Sequence, residues 1–125
     1  MKLILVIDDD DNLRRMTTRL LDSLGYSSVA AANSRDALKA LSSGRIDAIL
    51  LDVVLGDENG WEALRSIRQA GQVPVVMMSG ATMDGDVHKD ALAMGAQDVL
   101  QKPFETQDLL ACLQGILGGP SSPSR

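Results

Sequence analysis

Five polar residues in this 125-residue sequence could together bind a cation and an anion. All five stand at the ends of short apolar runs. They are Asp8, Asp9, Asp52, Ser79 and Lys102. Carboxylates bind hard divalent cations such as Mg²⁺. A hydroxyl group and an ammonium group can donate hydrogen bonds to the oxygens of a tetrahedral anion. These residue types predict a cation site beside a phosphate-like group, provided that the fold brings them together.

Each of these residues alone has an ordinary structural interpretation. An acidic run ahead of a helix commonly caps it, and we expect Asp10, Asp11 and Asn12 to do so here. A single Asp after a strand commonly caps the following loop, and a Lys-Pro pair is common in loops. The prediction of a functional site therefore depends on the elements that position the five residues relative to one another.

Five apolar runs alternate with five amphipathic stretches along the chain. After each run, apolar residues at steps of three and four predict a helix, as at Leu13, Met16, Leu20 and Leu24 in the first. Five strand–helix units in succession predict an α/β fold with a parallel sheet, right-handed crossovers and helices on both faces. The strands are predicted at Leu3–Ile7, Ser28–Ala31, Ala48–Leu51, Val75–Met78 and Val99–Gln101.

Ligands of such sheets bind at the carboxyl ends of the strands, which is where the five polar residues stand. Asp8, Asp9 and Asp52 would then face one another at short range, where like charges repel and raise one another's pKa. A divalent cation relieves this repulsion, and Mg²⁺ prefers one or two carboxylates, water and phosphate oxygens to a closed protein cage. Lys102 and Ser79 would bind a tetrahedral anion beside the metal.

Composition and charge argue against several classes of function. The net charge of −5 and the presence of only three aromatic residues, Tyr26, Trp61 and Phe104, argue against direct nucleic-acid binding. No apolar stretch approaches the roughly 20 residues of a membrane-spanning helix, so we expect no membrane insertion. The single cysteine, Cys112, cannot form an internal disulfide, which favours a reducing, cytoplasmic location.

Five motifs stand at ordered positions along the chain: Ile7–Asp9, Leu50–Asp52, Asn59-Gly60, Met78–Gly80 and Lys102–Phe104. Taken together, these motifs resemble those of the receiver domain of bacterial two-component response regulators. The resemblance implies a flavodoxin-like, doubly wound five-stranded parallel sheet with strand order 2-1-3-4-5 and helices on both faces. It places the receiver domain at residues 1–118, and we expect residues 119–125, which are rich in Gly, Pro and Ser, to form a flexible tail or linker.

The resemblance also implies a role for each acidic residue. Asp52 would accept a phosphoryl group, and Asp9 and Asp52 would bind Mg²⁺ directly. Asp8 would act through a water molecule, and the backbone carbonyl of Val54 would complete the protein's share of the metal ligands. The metal would lower the charge on the phosphoryl oxygens during transfer.

For the remaining residues the resemblance implies contacts with the phosphoryl group. Ser79 and Lys102 would each bind one of its oxygens, and the peptide bond between Lys102 and Pro103 would be cis. The donor would be a phosphohistidine of a histidine kinase or phosphotransfer protein, and a downstream output protein or domain would read the result. The domain would catalyse its own phosphorylation and dephosphorylation, but it would act as a conformational signalling switch more than as an enzyme.

Two positions depart from the usual pattern of the family. The loop Val53–Gly56 lacks the proline that many relatives carry, which gives the backbone at Val54 more freedom. The fifth strand has Val99 where relatives usually carry Tyr or Phe. The ring that turns inward when the switch operates is therefore missing, and we expect the signal to be read out through a different packing change.

Three alternative functions fit parts of the sequence. A flavodoxin-type FMN protein would share the fold, but the four aspartates after the first strand would repel the flavin phosphate. A Mg²⁺-dependent phosphohydrolase would need a second acid two residues after Asp52, where this chain has Val54. A protein-interaction module with a degenerate site would not need the acidic, hydroxyl and lysine groups that are present here.

Overall fold

The computed structural model describes residues 2–55, 58–80, 85–102 and 104–117. The expected tail at residues 119–125 and the expected cis bond at Pro103 lie outside these ranges. Within them the elements are β1 (Leu3–Ile7), α1 (Asp11–Ser23), β2 (Ser27–Ala31), α2 (Ser34–Ser43), β3 (Ala48–Asp52), β4 (Val54–Leu55), β5 (Glu58–Asn59), α3 (Gly60–Ala70), β6 (Val75–Ser79), α4 (Gly85–Ala93), β7 (Asp98–Gln101) and α5 (Thr106–Leu117).

The five long strands form one parallel sheet in the order β2-β1-β3-β6-β7. Numbered among these five alone, the order is 2-1-3-4-5, which confirms the prediction. The predicted strand positions are correct to within one residue at each end. Strands β3 and β6 each include the polar residue after the apolar run, because Asp52 pairs with Met78 and Ser79 pairs with Gln101.

A short hairpin, which the apolar pattern does not predict, follows the third long strand. Val54–Leu55 of β4 pairs antiparallel with Glu58–Asn59 of β5, so that Val54 lies opposite Asn59. Two-residue strands are too short to show any periodicity in sequence. The hairpin brings the start of α3 back beside the residues that follow Asp52.

The sheet has a hydrophobic core on each face, since successive side chains of a strand point in opposite directions. One core contains Leu5 and Leu51 with residues of α2, α3 and α4, and the other contains Ile4 and Leu50 with residues of α1 and α5. Complete burial of such a side chain stabilises the fold by about 1.5–3 kcal/mol. No helix in the described ranges is long and apolar enough to cross a membrane.

Helix α1 faces the sheet with different residues from those that its apolar spacing predicts. Its buried residues are Thr17 and Leu21, whereas Met16 is 54% exposed. Leu13 and Met16 instead line an apolar groove next to Phe104. At this end of the helix a buried threonine, rather than a leucine, contacts the sheet, and Leu20 and Leu24 pack partly buried against the core.

Polar caps begin the first three helices. The side chain of Asp10 accepts hydrogen bonds from the backbone N–H groups of Asn12 and Leu13, which confirms the expected cap of α1. Asn33 and Asn59 play the same part at the start of α2 and α3. Such a cap satisfies backbone donors that have no partner inside the helix.

A half-buried arginine joins the amino-terminal ends of two strands. The guanidinium of Arg68, near the end of α3, donates hydrogen bonds to the backbone carbonyls of Val73, before β6, and Gly95, before β7. Partial burial lowers the pKa of Arg68. Gly95 adopts φ +105°, and a Cβ atom there would lie 2.8 Å from Cδ of Arg68.

Two glycine substitutions should change stability in opposite directions. Gly115 lies within α5 with nothing within 4 Å of the position of a Cβ atom, so Gly115→Ala should raise the free energy of unfolding by about 1 kcal/mol. Gly95→Ala should lower it by at least about 1 kcal/mol, because of its backbone conformation and the contact with Arg68. Urea denaturation of both variants measures the changes, and equal stabilities would contradict this interpretation.

Candidate functional site

The sheet order brings four of the five predicted site residues to one rim. Asp8 follows β1, Asp52 ends β3, Ser79 ends β6 and Lys102 follows β7, and these strands are neighbours in the sheet. Asp8, Asp52 and Ser79 are buried, with relative exposures of 1%, 6% and 7%. Buried polar side chains at the carboxyl ends of adjacent parallel strands form a candidate binding site.

A buried ion pair lies at the centre of this rim. The ammonium Nζ of Lys102 donates a hydrogen bond to Oδ2 of Asp52 at 2.6 Å. Both side chains are largely shielded from water, with 19% and 8% of their surfaces exposed. A charge-assisted hydrogen bond of this kind holds the lysine close to any negative charge that develops at Asp52.

Burial of Asp8 disfavours the charged form of its carboxyl group. Burial, more than any other cause, raises its pKa from 3.8 to about 6, and the nearby charge of Asp52 adds to the increase. The backbone N–H of Asp10 donates a hydrogen bond to Asp8 Oδ1 at 3.0 Å. This hydrogen bond and the positive charge of Lys102 both lower the pKa of Asp8 and so oppose the effect of burial. Asp8 and Asp52 therefore form the pair of neighbouring carboxylates whose repulsion a cation would relieve.

Asp9 lies apart from this pair. Its side chain is exposed, and among the described residues no group of three or more Asp, Glu, His or Cys side chains is arranged to hold a metal ion. The structure thus brings two carboxylates together where the sequence predicts three. Two buried carboxylates still match the preference of Mg²⁺ for few protein oxygens. The role of Asp9 as a direct metal ligand stays a prediction.

The carbonyl of Val54 is the other predicted metal ligand. Val54 begins strand β4 two residues after Asp52, so its backbone is held near the rim by pairing with Asn59. Coordination of a metal by this carbonyl also stays a prediction.

Arg14 is a further residue at the rim, which the sequence motifs do not single out. Its Nη1 donates a hydrogen bond to the backbone carbonyl of Asp8 at 2.6 Å, and its Nη2 forms an ion pair with Asp11. The guanidinium thereby holds the loop that carries Asp8 and Asp9 against α1. The spacing of Asp11 and Arg14, three residues apart at a helix start, is the signal that could have identified the contact.

The ends of β6 and β7 are also tied to each other. The backbone N–H of Lys102 donates a hydrogen bond to the carbonyl of Ser79 at 2.7 Å. Val99, earlier in β7, is 9% exposed and belongs to the core shared with α3 and α4. A small aliphatic side chain therefore fills this core position.

Cys112 lies in α5, next to β7. Its Sγ is 3.6 Å from Oδ2 of Asp98. The pKa of the thiol is raised to about 12, mainly by burial and then by the charge of Asp98 and the hydrogen bond to it. The thiol therefore stays protonated at neutral pH and is a poor nucleophile, which agrees with its expected packing role.

The sheet order and the charged rim define a flavodoxin-like α/β protein with a polar site at the carboxyl ends of its strands. Residues 4–114 match the family model described as the response regulator receiver domain. The chain belongs to this family, the receiver domains of two-component response regulators. Members of the family act as signalling switches rather than as classical enzymes.

Curated relatives match almost the whole chain. The transcriptional regulatory protein CpxR of Escherichia coli is 36% identical over 119 residues, which are 94% of this chain and 50% of that protein. The regulatory protein VirG of Agrobacterium fabrum is 35% identical over 117 residues, 94% of this chain and 46% of that protein. The chain therefore spans about half the length of the curated relatives it matches.

Solved structures show the same fold. The chemotaxis protein CheY4 of Vibrio cholerae superposes with a TM-score of 0.86 at 31% identity, covering 94% of this chain and 99% of that one. A two-component response regulator from Clostridium difficile gives a TM-score of 0.87 at 30% identity, covering 98% of this chain and 100% of that one. Both superpositions support the flavodoxin-like fold.

The raised pKa of Asp8 predicts how stability depends on pH without metal. The folded protein binds the proton of Asp8 more tightly than the unfolded chain, so protonation favours the fold. Stability should therefore fall as the pH rises from about 4 to about 6 and then level off, with Asp8 contributing about 3 kcal/mol to the change. Urea denaturation in EDTA at several pH values measures the fall.

The matched variants are Asp8→Asn and Asp9→Asn. Asp8→Asn should remove the Asp8 contribution and be more stable than the parent at pH 7, whereas Asp9→Asn should keep the parental pH profile because Asp9 is exposed. A parental profile in Asp8→Asn would show that the buried penalty lies elsewhere.

Proposed function

We propose that this receiver domain accepts a phosphoryl group on Asp52 in a Mg²⁺-dependent reaction and acts as a conformational switch in a two-component phosphorelay. The observation that carries the proposal is the buried ion pair between Asp52 and Lys102 beside a second buried carboxylate, Asp8. Asp8, Asp9, Asp52 and the carbonyl of Val54 would hold the metal. When bound, Mg²⁺ would neutralise charge on the phosphoryl oxygens and screen the carboxylates from one another.

The donor in this proposal is a phosphohistidine on a histidine kinase or phosphotransfer protein. A carboxylate oxygen of Asp52 attacks phosphorus, the bond from phosphorus to the histidine nitrogen breaks, and an acyl phosphate forms. Lys102 already contacts the carboxylate and can move to a phosphoryl oxygen as charge develops there. The hydroxyl of Ser79 donates a hydrogen bond to another oxygen.

An apolar groove next to the rim supports a protein as the donor. The groove has a volume of about 360 Å³ and is bordered by Gly80 and Lys102, so it adjoins the proposed acceptor site. Its apolar lining includes Leu13, Met16 and Phe104. Burial of exposed apolar side chains favours association with a partner whose histidine would then lie close to Asp52.

The proposed output is a change in packing, which a downstream protein or domain reads. Because Val99 replaces the usual aromatic ring, no ring can rotate to transmit the signal. The change in packing would instead be transmitted through the backbone hydrogen bond between Lys102 and Ser79. The domain would phosphorylate itself from small donors and lose phosphate by hydrolysis at the same site. The proposed location is the cytoplasm, which fits the unpaired cysteine Cys112.

The alternative functions have less support. A phosphohydrolase would need an acid two residues after Asp52, and the chain has Val54 there. A degenerate interaction module would have no use for the buried pair of Asp52 and Lys102, since burying two charges costs free energy.

The acceptor can be identified by mass. Incubation with acetyl phosphate and Mg²⁺ should add one phosphate to the intact protein. Asp52→Asn should remove this addition, because an amide cannot form the acyl phosphate. Asp22→Asn is the matched control, since Asp22 is exposed at the far end of α1, and its replacement should leave phosphorylation intact. A phosphate that persists in Asp52→Asn would refute the assignment.

Metal binding should stabilise the fold by mass action. Mg²⁺ at ten times its Kd should raise the free energy of unfolding by about 1.4 kcal/mol, because the folded state binds it and the unfolded chain does not. Asp9→Asn should reduce this gain at the same Mg²⁺ concentration, whereas Asp22→Asn, at the far end of α1, should not. Thermal melts over a Mg²⁺ titration measure the effect, and unmoved curves for the parent would contradict a metal site.

A further inference from the structure

The motif Asn59-Gly60 has no part in the proposed chemistry, yet it lies against the residues that follow Asp52. Gly60 is the first residue of α3, and its backbone N–H donates a hydrogen bond to the carbonyl of Val53 at 2.9 Å. The side chain of Asn59 caps the same helix by accepting a hydrogen bond from the N–H of Trp61 at 2.8 Å. The start of α3 is thus held against the backbone of the acceptor loop.

No side chain larger than hydrogen fits at position 60. A Cβ atom there would lie 2.3 Å from the carbonyl oxygen of Val53 and 2.5 Å from that of Asp52. Real Cβ atoms essentially never come within 3.0 Å of a heavy atom outside their own residue and its chain neighbours. Both contacts are with backbone atoms, which cannot rotate aside as a flexible side chain can. An added methyl group must therefore move the acceptor loop, the helix, or both.

The peptide units on either side of Val53 are anchored from two directions. The N–H of Val53 donates a hydrogen bond to the carbonyl of Met78 in β6 at 2.9 Å, and its carbonyl accepts the hydrogen bond from Gly60. Asp52 stands before this anchored residue and Val54 after it. A shift of the Val53 carbonyl would therefore reorient both the Asp52 side chain and the Val54 carbonyl.

We infer that Gly60 is a positioning residue: the absence of a side chain lets α3 clamp the Val53 carbonyl and so orients the metal-binding oxygens of Asp52 and Val54. The inference rests on the proposed Mg²⁺-dependent function, and Gly60 itself touches neither metal nor phosphate. Residues that orient metal ligands commonly change metal affinity by about 10–100-fold when they are replaced.

The experiment compares Gly60→Ala with Gly71→Ala, at the opposite end of the same helix. Position 71 has an extended backbone and nothing within 4 Å of the place that a Cβ atom would take, so alanine is free of contacts there. Mg²⁺ is titrated into each protein and into the parent, and the Kd is read from amide chemical shifts by NMR. Gly60→Ala should raise the Kd at least about tenfold, and Gly71→Ala should leave it within about twofold of the parental value.

Two further variants distinguish a general loss of stability from a displacement of the metal ligands as the cause of a raised Kd. Ile4→Val removes one buried methylene group at the opposite end of β1 from Asp8 and should lower the melting temperature by about 5 °C without changing the Kd. If Gly60→Ala is too unstable to titrate alone, it is combined with Gly115→Ala, and the double variant is compared with Gly115→Ala. The expected increase in Kd is the same in that background.

The outcomes are distinct. A parental Kd in Gly60→Ala, or an equal increase in Ile4→Val, overturns the role of Gly60 while leaving the proposed function in place. A parent that shows no saturable shifts with Mg²⁺ overturns the proposed metal site, and the role of Gly60 falls with it. A selective increase in Gly60→Ala supports the inference.

Discussion

Two carboxylates, Asp8 and Asp52, lie side by side at a buried end of the sheet, and their repulsion must be offset by the residues around them. Lys102 offsets it with an ammonium group 2.6 Å from Asp52. That contact joins residues 50 positions apart in sequence. It is possible because β3, β6 and β7 are parallel and adjacent in that order, so that their carboxyl ends lie at one rim. The electrostatic stability of the rim therefore depends on the order of the strands in the sheet.

Most of the architecture could be predicted from the sequence, because buried parallel strands have a simple signature. A run such as Leu3–Ile7, apolar throughout and followed by acids, cannot lie at a surface on either face. The hairpin from Val54 to Asn59 could not be predicted in the same way, since two-residue strands have no period. The burial of Thr17 in α1 could not be predicted either, because a search for hydrophobic spacing passes over a threonine.

The site was predictable to the level of residue types and strand ends, but not to the level of individual contacts. The proximity of Asp52 and Lys102 follows from parallel strands that end at one rim, whereas the direct ion pair between them was not predicted. The separation of Asp8 from Asp9 does not, because adjacent residues after a strand point in different directions and only the fold decides which is buried. The role of Arg14 could not be predicted, because it donates to a backbone carbonyl and every residue type has one.

The hydrogen bonds of Arg68 have a mechanical consequence for the molecule. They bind α3 to the segments that enter β6 and β7, at Val73 and Gly95, which is the edge of the sheet opposite the acidic rim. Gly95 closely follows the end of α4. We therefore expect the carboxyl end of α4 to be more restrained than its amino end, so that any displacement of this helix would be smallest next to Gly95.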